Sequence, residues 1–446
     1  MANKRTMERK AAAFILIVAS VFLVAGSSCR RQAGTAVAAA EKAVRPGIEV
    51  FLEKHVDLVR RKRVGLITNP TGVDTGLRST AALFHGNPDI RLAALYGPEH
   101  GVRGNAQAGE YVPFYLDEKF GVPVFSLYGQ TFKPDPGMLR NMDEYMRKFD
   151  TEHEGKRLEP SMAGDVDVLV FDIQDVGTRV YTYAATMAYA MQAAAELGVP
   201  FIVLDRPNPV NGVTMEGPVL EPAFSSFIGL YPVPERHGLT IGELARLFND
   251  RCLEKKVDLT VIPMEGWSRS MWFDQTGLPW VMPSPNMPTL ETAAVYPGFV
   301  ALEGTNISEG RGTTRPFELF GAPWVDGYEL AAKLNALRLP GVVFREAWFT
   351  PVFSKFQGEL CGGCQVHVTD REAFHPFAAA LHVIRTVRSM YPEKFRFHES
   401  YFDRVMGTEL IRGRLEAGAT VEEILELVRP GLEAFAELRR PYLLYR

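Results

Sequence analysis

The chain has 446 residues, of which 46% are hydrophobic and 23% charged, and its formal net charge is −4 at pH 7. These values are ordinary for a globular protein, which excludes a disordered chain, a coiled coil and a collagen-like fibre, and the length predicts two or three domains. The slightly acidic balance argues against a nucleic-acid partner, and 4 cysteines are too few for a disulfide scaffold.

Residues 1–28 have the layout of an export signal. Basic residues at 4, 5, 9 and 10 precede an apolar run at 11–26, and small residues then lead directly to Cys29. The run is shorter than the ~20 residues of a membrane-spanning helix. The position of Cys29 resembles the lipoprotein box of bacterial envelope proteins, in which this cysteine is lipidated. Ordinary signal cleavage with Cys29 unmodified is the alternative. In both cases we expect an exported protein, in the periplasm or cell envelope, with residues 29–46 as a tether.

From residue 48 onward, short apolar runs alternate with amphipathic segments. Strands are predicted at 63–69, 90–96, 122–127, 166–173, 201–205 and 259–263. Helices are predicted at 79–85 and 181–197, and a third opens with a capping box at Thr240 and Glu243 and runs to about 249. This alternation predicts an α/β domain with a mostly parallel sheet that helices cover on both faces.

The composition of the chain and the pattern of its predicted elements change near residue 290. The segment 279–298 is rich in proline and glycine, so we expect little regular structure there. Beyond it, predicted strands at 341–345 and 365–369 mix with helices at 374–389 and 421–438. We therefore divide the mature chain into a first domain at 47–290 and a smaller α+β domain at 291–446.

Polar side chains gather where predicted strands end, which is where open parallel sheets bind their ligands. Three strands are each followed by carboxylates with an arginine close by, namely Glu99 with Arg103, Asp172 and Asp175 with Arg179, and Asp205 with Arg206. Singly, Glu99 could hold loop amides, Asp175 could cap a helix and Asp205 could brace a turn. Together they predict a polar cleft, with Glu99 as the favoured catalytic group.

Two further polar segments lie in the second half of the chain. Residues 306–314, which include Asn306, Glu309 and Arg311, are dense in hydrogen-bonding groups and glycines; a solvated loop is the alternative. Residues 235–238 are interpreted as a turn before a helix. The aromatic residues that flank these loops are interpreted as core rather than as sugar-stacking groups; they are Trp280, Tyr296 and Trp324.

The pair Cys361 and Cys364 has the spacing of a redox or metal motif. No second ligand pair is spaced for zinc, and a redox pair precedes a helix, whereas this one precedes a predicted strand. We interpret the pair as structural, in the form of an oxidised loop clasp. The phosphate-binding, dinucleotide-binding, zinc-protease and nucleophile-elbow motifs are all missing from the sequence.

Several long segments resemble the NamZ family of exo-β-N-acetylmuramidases, once classified only as a domain of unknown function. The likeness runs from about residue 48 to the C-terminus. The segments that carry it are VGLITNPTGVD at 64–74, YGPEHGVRG at 96–104, FDIQDVGTRVYTY at 171–183, LDRPNPVNG at 204–212, TGLPWVMPSPNMPT at 276–289, YPG at 296–298, EGTNISEGRGTTRPFE at 303–318 and HVTDR at 367–371.

The resemblance implies a Rossmann-like, mostly parallel α/β domain followed by a smaller auxiliary domain, with the active cleft between them. It also implies a reaction, the release of β-linked N-acetylmuramic acid from the non-reducing end of peptidoglycan fragments, without a nucleotide or a metal. The family's proposed catalytic glutamate lies in the PEHG loop and corresponds to Glu99.

Glycoside hydrolysis pairs an acid with a second carboxylate that acts as nucleophile, as base, or as orienter of the substrate's own N-acetyl group. Asp172, Asp175 and Glu309 are the candidates for this second group. The lactyl carboxylate of muramic acid calls for a guanidinium, for which Arg179, Arg206, Arg236 and Arg311 are candidates. We favour Arg179 and Arg311.

The predicted substrate-binding set is completed by His100, Arg103, Asp205 and Asn306. A non-catalytic envelope lipoprotein that binds cell-wall fragments in the same cleft is the alternative function. A redox protein built on Cys361 and Cys364 is a third and weaker alternative.

Overall fold

The computed structural model describes residues 43–129, 132–140, 142 and 165–446. The predicted export signal, Cys29 and most of the predicted tether lie outside these residues. The strands, numbered in chain order, are β1 (Arg63–Thr68), β2 (Arg91–Gly97), β3 (Tyr115–Asp117), β4 (Val122–Ser126), β5 (Val168–Asp172), β6 (Phe201–Leu204), β7 (Glu216–Val219), β8 (Pro234–Arg236), β9 (Leu259–Ile262), β10 (Leu319–Ala322), β11 (Val342–Phe349) and β12 (Cys361–Val368).

The first part of the chain builds a seven-stranded sheet with the order β3-β4-β2-β1-β5-β6-β9. All neighbouring pairs in it are parallel except β3 and β4 at one edge. The six predicted strands of this region are confirmed. Because β1, β2, β5 and β6 are parallel neighbours, the residues that follow them meet at one edge of the sheet.

The helices bury apolar residues against a sheet or another helix. In chain order they are α1 (Gly47–Lys54), α2 (Thr80–His85), α3 (Pro136–Leu139), α4 (Tyr183–Leu197), α5 (Ile241–Arg251), α6 (Leu290–Phe299), α7 (Gly327–Ala336), α8 (Pro376–Met390), α9 (Glu399–Met406), α10 (Leu410–Glu416) and α11 (Val421–Arg439).

Both faces of the large sheet are covered, as predicted. Phe51 of α1 and Phe84 of α2 belong to the hydrophobic cluster on one face. Met187 of α4 and Leu244 of α5 belong to the cluster on the other face. The predicted capping box of α5 is present, since the side chain of Thr240 accepts the Glu243 N–H while the Glu243 carboxylate accepts the Thr240 N–H.

The second part of the chain contains an antiparallel sheet with the order β10-β12-β11. Helix α7 packs against β11 and β12 of this sheet, α8 packs against α6 and α7, and the cluster that covers the α4 face of the large sheet continues into this region. The predicted fold class, a mostly parallel α/β sheet domain followed by a smaller α+β domain, is confirmed.

The expectation of little regular structure at 279–298 was wrong, because α6 begins at Leu290. The Thr289 side chain caps this helix by accepting the Thr292 N–H, and Pro297 falls only in its last turn. A Cβ atom on Gly298 would overlap the Pro376 carbonyl, so glycine allows α6 to lie directly against the start of α8. Tertiary packing here outweighs the local proline and glycine signal.

The clasp predicted for Cys361 and Cys364 was also wrong, because both residues lie inside β12 as free, buried thiols. Residues three apart in a strand point to opposite faces and lie about 10 Å apart. The intervening glycines looked like a loop in the sequence. In the structure Gly363 pairs with both Gly321 and Ala347, and a side chain at this position would overlap the Phe320 carbonyl.

Across the described ranges, every helix is too short or too polar to serve as a membrane span.

Candidate active site

The Glu99 carboxylate lies at the carboxyl end of β2, in a tight turn with 9% of its residue surface exposed. His100 and Gly101 both adopt left-handed backbone conformations, with φ of 72° and 75°. The Glu99 Oε1 accepts the Gly109 N–H at 3.1 Å, and Oε2 accepts the Thr182 hydroxyl at 2.8 Å. The Tyr128 hydroxyl also hydrogen-bonds to this carboxylate. Three separate elements therefore hold Glu99.

Tyr128 follows β4 and is half-buried beside Glu99. Burial raises the pKa of Tyr128 to about 12, and the nearby Glu99 charge adds to the effect. The phenol therefore keeps its proton at neutral pH and donates to Glu99. Thr182 stands directly before α4, so the helix start and the strand end are joined through the same carboxylate.

The buried side chain of His100 holds the loop that carries Glu99. Its Nδ1 lies 2.8 Å from the Ala106 carbonyl oxygen. Burial lowers the pKa of His100 and the Arg311 charge adds to this, although the Glu99 charge acts in the opposite direction. A neutral ring that donates from Nδ1 to the carbonyl fits these contacts. The predicted binding residue His100 thus braces the loop that presents Glu99.

Asp175 is the predicted second carboxylate that keeps an unused oxygen. Its Oδ2 accepts the Gly177 N–H at 2.8 Å and lies 3.7 Å from His237 Nε2, whereas Oδ1 has no hydrogen-bond partner. His237 Nδ1 accepts the Leu239 N–H, which leaves the ring proton on the Nε2 that faces Asp175.

Tyr181 lies within electrostatic range of both Asp175 and Glu99. Burial raises the pKa of the Tyr181 phenol well above its usual range, and the charges of both Asp175 and Glu99 contribute in the same direction. The two carboxylates lie on the loops that follow β5 and β2.

Asp172 and Arg206 form a fully buried ion pair instead of facing a cleft. Arg206 Nε lies 2.5 Å from Asp172 Oδ1, and Nη2 lies 2.9 Å from Oδ2. The Thr80 hydroxyl donates to the same carboxylate, and Arg206 also donates to the Val73 carbonyl. Both predicted site residues are thus engaged with protein groups, which disfavours Asp172 as the second carboxylate and Arg206 as the lactyl-binding group.

Arg179 and Arg236, two further candidates for the lactyl group, are also buried in ion pairs. Arg179 donates to Glu235 and to the carbonyls of Pro218, Val233 and Val405, so four of its five N–H groups are used. Arg236 pairs with Glu216 at 2.8 Å. These contacts disfavour Arg179 as the selector of muramic acid. Within the segment 235–238, Glu235 and Arg236 belong to this network and to β8.

Asp205 caps α5 and fastens the C-terminus. Its carboxylate accepts the Gly242 N–H at 2.8 Å, the Thr240 hydroxyl at 2.8 Å and the Tyr445 hydroxyl at 2.6 Å. It is fully buried. The substrate-binding role predicted for Asp205 does not fit these contacts, which are those of a structural carboxylate.

We expect the Asp205→Asn variant to lose part of the pH dependence of folding. Burial raises the pKa of Asp205 to about 7, although hydrogen bonds from Tyr445, Gly242 and Thr240 oppose the shift; an unfolded aspartate titrates near about 3.9. Ionisation is thus disfavoured in the folded state, so the wild-type protein loses stability as the pH rises from about 4 through 7.

Urea unfolding of the wild type and the variant across this range measures the effect. The free energy of unfolding of the wild type should fall relative to Asp205→Asn as the pH rises. A difference between the two proteins that stays constant from pH 4 to pH 8 would contradict the assignment.

Models of known protein families match most of the chain. A family model described as exo-beta-N-acetylmuramidase NamZ, N-terminal, matches residues 64–158 and 149–291, and its C-terminal counterpart matches residues 294–445. The chain belongs to the NamZ family.

Relatives of the chain cover nearly its whole length. The peptidoglycan beta-N-acetylmuramidase NamZ of Bacillus subtilis strain 168 is 53% identical over 403 residues, which are 90% of this chain and 91% of that protein. Two crystal structures of DUF1343 family proteins from Bacteroides fragilis NCTC 9343 each cover 91% of this chain and 99% of their own, with TM-scores of 0.79 and 0.69 and identities of 39% and 30%.

Arg311, the remaining candidate for binding the lactyl group in this NamZ-family chain, has a partly exposed side chain. Its side chain is 20% exposed, and its Nε and Nη2 contact Glu303 at 3.0 and 2.6 Å. Burial would lower the pKa of Arg311, but the charges of Glu303 and Glu309 raise it overall. The Arg311 charge also acts to lower the pKa of His100, the neighbour of Glu99 in sequence.

Glu309, the remaining carboxylate candidate, is buried against a lysine. Lys355 Nζ lies 2.9 Å from Glu309 Oε2 and also donates to the carbonyls of Leu302, Glu303 and Ile307. These contacts give Glu309 a structural role in holding the loop that carries Arg311.

The last two predicted binding residues contact groups other than Glu99. Asn306 bonds to the Lys394 carbonyl and the Arg396 N–H, and so joins two loops of the C-terminal part. Arg103 is exposed and lies 3.6 Å from Asp117, at a cleft of about 690 Å³ that Asn69 and Lys119 also line.

Sequence reasoning missed three residues that the structure brings to the site, namely Tyr128, Thr182 and His237. Thr182 lies within a segment that carries the family resemblance, but its spacing from Glu99 gives no sign of a contact. Tyr128 and His237 come from segments without a motif. Among the described residues, no three His, Cys, Asp or Glu side chains are grouped so that they could hold a metal ion.

Proposed function

We propose that this chain is an exo-acting glycoside hydrolase that releases β-linked N-acetylmuramic acid from the non-reducing end of peptidoglycan fragments, in the turnover or recycling of the cell wall. The observation that carries the proposal is the Glu99 carboxylate, which a NamZ-family chain presents at a strand end with donors from Gly109, Thr182 and Tyr128. Fixed orientation of a carboxyl group is what proton transfer to a glycosidic oxygen requires.

In this proposal Glu99 protonates the oxygen of the leaving sugar, and Asp175 is the second carboxylate. Support for Asp175 comes from its buried Oδ1, which has no hydrogen-bond partner, and from its place on the loop after β5, at the same edge of the sheet as the loop of Glu99 after β2. Asp172 and Glu309 are instead already paired with cations, Arg206 and Lys355. His237 Nε2 lies 3.7 Å from Asp175 Oδ2 without a hydrogen bond between them.

Arg311 recognises the lactyl carboxylate, the group that distinguishes muramic acid from N-acetylglucosamine. Its guanidinium keeps a partly exposed face while Glu303 fixes its direction. Arginine suits this task because its planar fork can donate two parallel hydrogen bonds to one carboxylate.

The Arg311→Ala variant should therefore lose discrimination between the two sugars while it keeps its fold. We expect the ratio of kcat/KM for a β-N-acetylmuraminide over the matching N-acetylglucosaminide to fall by about 100-fold, which corresponds to one charge-assisted bidentate contact. Arg315→Ala is the matched control, because Arg315 lies in the same segment and is 45% exposed. Equal losses on both sugars would remove Arg311 as the selector.

The proposed function is tested by the release of chromophore from 4-nitrophenyl β-N-acetylmuraminide, with the corresponding N-acetylglucosaminide in parallel. Turnover of the muraminide alone is the expected result. Turnover of both would retain a hydrolase without muramic selectivity. Turnover of neither by a folded protein would favour the alternative, an envelope protein that binds cell-wall fragments without cleaving them.

We propose in addition that the protein is exported and anchored in the cell envelope through a lipid on Cys29. The basic, apolar and small-residue order of residues 1–28 supports this location, which is also where peptidoglycan fragments occur. Mass spectrometry of the N-terminal peptide from envelope fractions measures the modification, and an unmodified Cys29 would refute the anchor.

A further inference from the structure

A cluster of four aromatic side chains lies next to Glu99 and has no part in the function proposed so far. The rings of Phe132, Phe227 and Tyr189 are nearly parallel, with centroids 4.0 and 6.4 Å apart and interplanar angles of 10° and 16°. Tyr128 leans against this stack, 5.4 Å from Phe132 and 5.6 Å from Phe227. All four side chains are only partly buried.

The cluster is joined to Glu99 by two routes. The first is Tyr128, whose ring packs on the stack and whose hydroxyl hydrogen-bonds to the Glu99 carboxylate. The second is α4, which follows Thr182, a donor to Glu99, and carries Tyr189. Residues seven apart lie on one face of a helix, about 10 Å along its axis. The aromatic stack therefore begins a short distance from the carboxylate, on the same side of α4.

Partial exposure distinguishes this cluster from the other aromatic residues near the site. Tyr181, Tyr183 and Tyr296 are buried and pack edge to face in the core. Phe132 and Phe227 instead sit on loops at the surface, Phe227 within the turn that Ser226 and Gly229 close by two backbone hydrogen bonds. Adjoining apolar side chains that stay half-exposed beside a candidate site are typical of ligand-binding surfaces.

The position next to Glu99 indicates which part of a substrate would lie there. An acid that protonates the glycosidic oxygen stands beside the bond that breaks, and the leaving sugar extends from that oxygen. A pyranose ring has an apolar face of C–H groups, and aromatic rings present a negative face and a large apolar area to such groups.

We propose that Tyr128, Phe132, Phe227 and Tyr189 form the binding site for the leaving sugar, the N-acetylglucosamine residue that follows the terminal muramic acid. This inference rests on the proposed muramidase function and adds the recognition of a second sugar to it. Tyr128 belongs to both sites, since its ring contacts the stack and its hydroxyl contacts Glu99.

The test compares two substrates of the full-length protein, the disaccharide N-acetylmuramyl-β-1,4-N-acetylglucosamine and methyl β-N-acetylmuraminide, which lacks the second sugar. We expect Phe227→Ala to raise KM for the disaccharide by about tenfold, as for the loss of one aromatic contact, and to leave KM for the methyl glycoside unchanged. Phe227→Tyr keeps the ring and should behave like the wild type on both.

Trp348→Ala is the matched control. Trp348 pairs with Tyr328 in an exposed aromatic contact on β11 and α7, with 46% and 65% of their residue surfaces exposed. This control should change neither KM value. Thermal unfolding verifies that each variant is folded.

Equal changes of KM on both substrates in Phe227→Ala would overturn the proposal, because the stack would then act only by holding Tyr128 against Glu99. An unchanged KM on the disaccharide would overturn it as well. The absence of wild-type turnover on either substrate is a different result, which would refute the proposed function itself and this site with it.

Discussion

The Glu99→Gln variant is expected to lower kcat for the muramyl disaccharide by about 10³-fold, the size of effect that a positioned proton donor contributes. Glutamine keeps the shape of the side chain: its amide oxygen can accept the Gly109 N–H, and its NH2 group can donate to the Thr182 hydroxyl, which can also act as an acceptor, so the fold should persist. What disappears is the transferable proton. Binding of the disaccharide to the inactive variant, measured by calorimetry, should stay close to the wild-type KM.

The leaving group of the substrate separates an acid from other catalytic roles of Glu99. A dinitrophenyl aglycone departs without protonation, so Glu99→Gln should retain far more of its activity on a dinitrophenyl muraminide than on the disaccharide. Asp175→Asn should lose activity on both substrates alike, because a nucleophile or an orienting carboxylate is needed whatever group leaves. If Asp175→Asn alone retained activity on the dinitrophenyl substrate, Asp175 would be the acid and Glu99 the second carboxylate.

Glu110→Gln is the matched control for this experiment. Glu110 lies in the same loop as Glu99, is exposed, and accepts only the Gln107 N–H at 2.9 Å among the contacts that the structure gives it. Its substitution should leave kcat unchanged on both substrates. A comparable loss there would mean that the conformation of the loop, rather than the Glu99 proton, limits the reaction.

The fold was accessible from the sequence because its signals are local. The strand that became β5 is a continuous apolar run, as expected for a strand buried on both faces, and the box of Thr240 and Glu243 marks the start of α5. The predictions failed where tertiary packing determines the local structure. Gly298 and Gly363 look like breaks in the sequence, but each allows backbone to approach backbone inside a regular element.

The site was accessible only in part, because its partners are distant in sequence. The rule that polar residues gather at strand ends placed Glu99, Asp172 and Asp205 at one edge of the sheet, where the structure has them. It could not separate a catalytic carboxylate from a structural one, because the groups that engage Asp205 and Arg179 come from segments more than 30 residues away. The aromatic cluster was missed for the same reason, since its rings come from three separate segments. Of the aromatic residues that flank the loops, Tyr296 lies in the core and Trp280 is partly buried against it.

The second large effect concerns the buried pair of Asp172 and Arg206. We expect Arg206→Met to lower the free energy of unfolding by about 3–5 kcal/mol, because it leaves an uncompensated carboxylate in a site without solvent contact. Chemical denaturation near neutral pH measures this change. Arg429→Met is the control, because Arg429 pairs with Glu426 in an exposed ion pair that solvent screens, so this variant should unfold like the wild type.

The double variant Asp172→Asn/Arg206→Met decides whether this pair is structural or belongs to the reaction. Removal of both charges avoids the isolated carboxylate, and the asparagine side chain can still accept the Thr80 hydroxyl, so much of the lost stability should return. If the pair only joins β5 to the loop after β6, the folded double variant should keep kcat within a few-fold of the wild type. A stable double variant without activity would instead mean that Asp172 or Arg206 takes part in the reaction. The choice of Asp175 as the second carboxylate would then have no support, because it depends on Asp172 being engaged only in a structural ion pair.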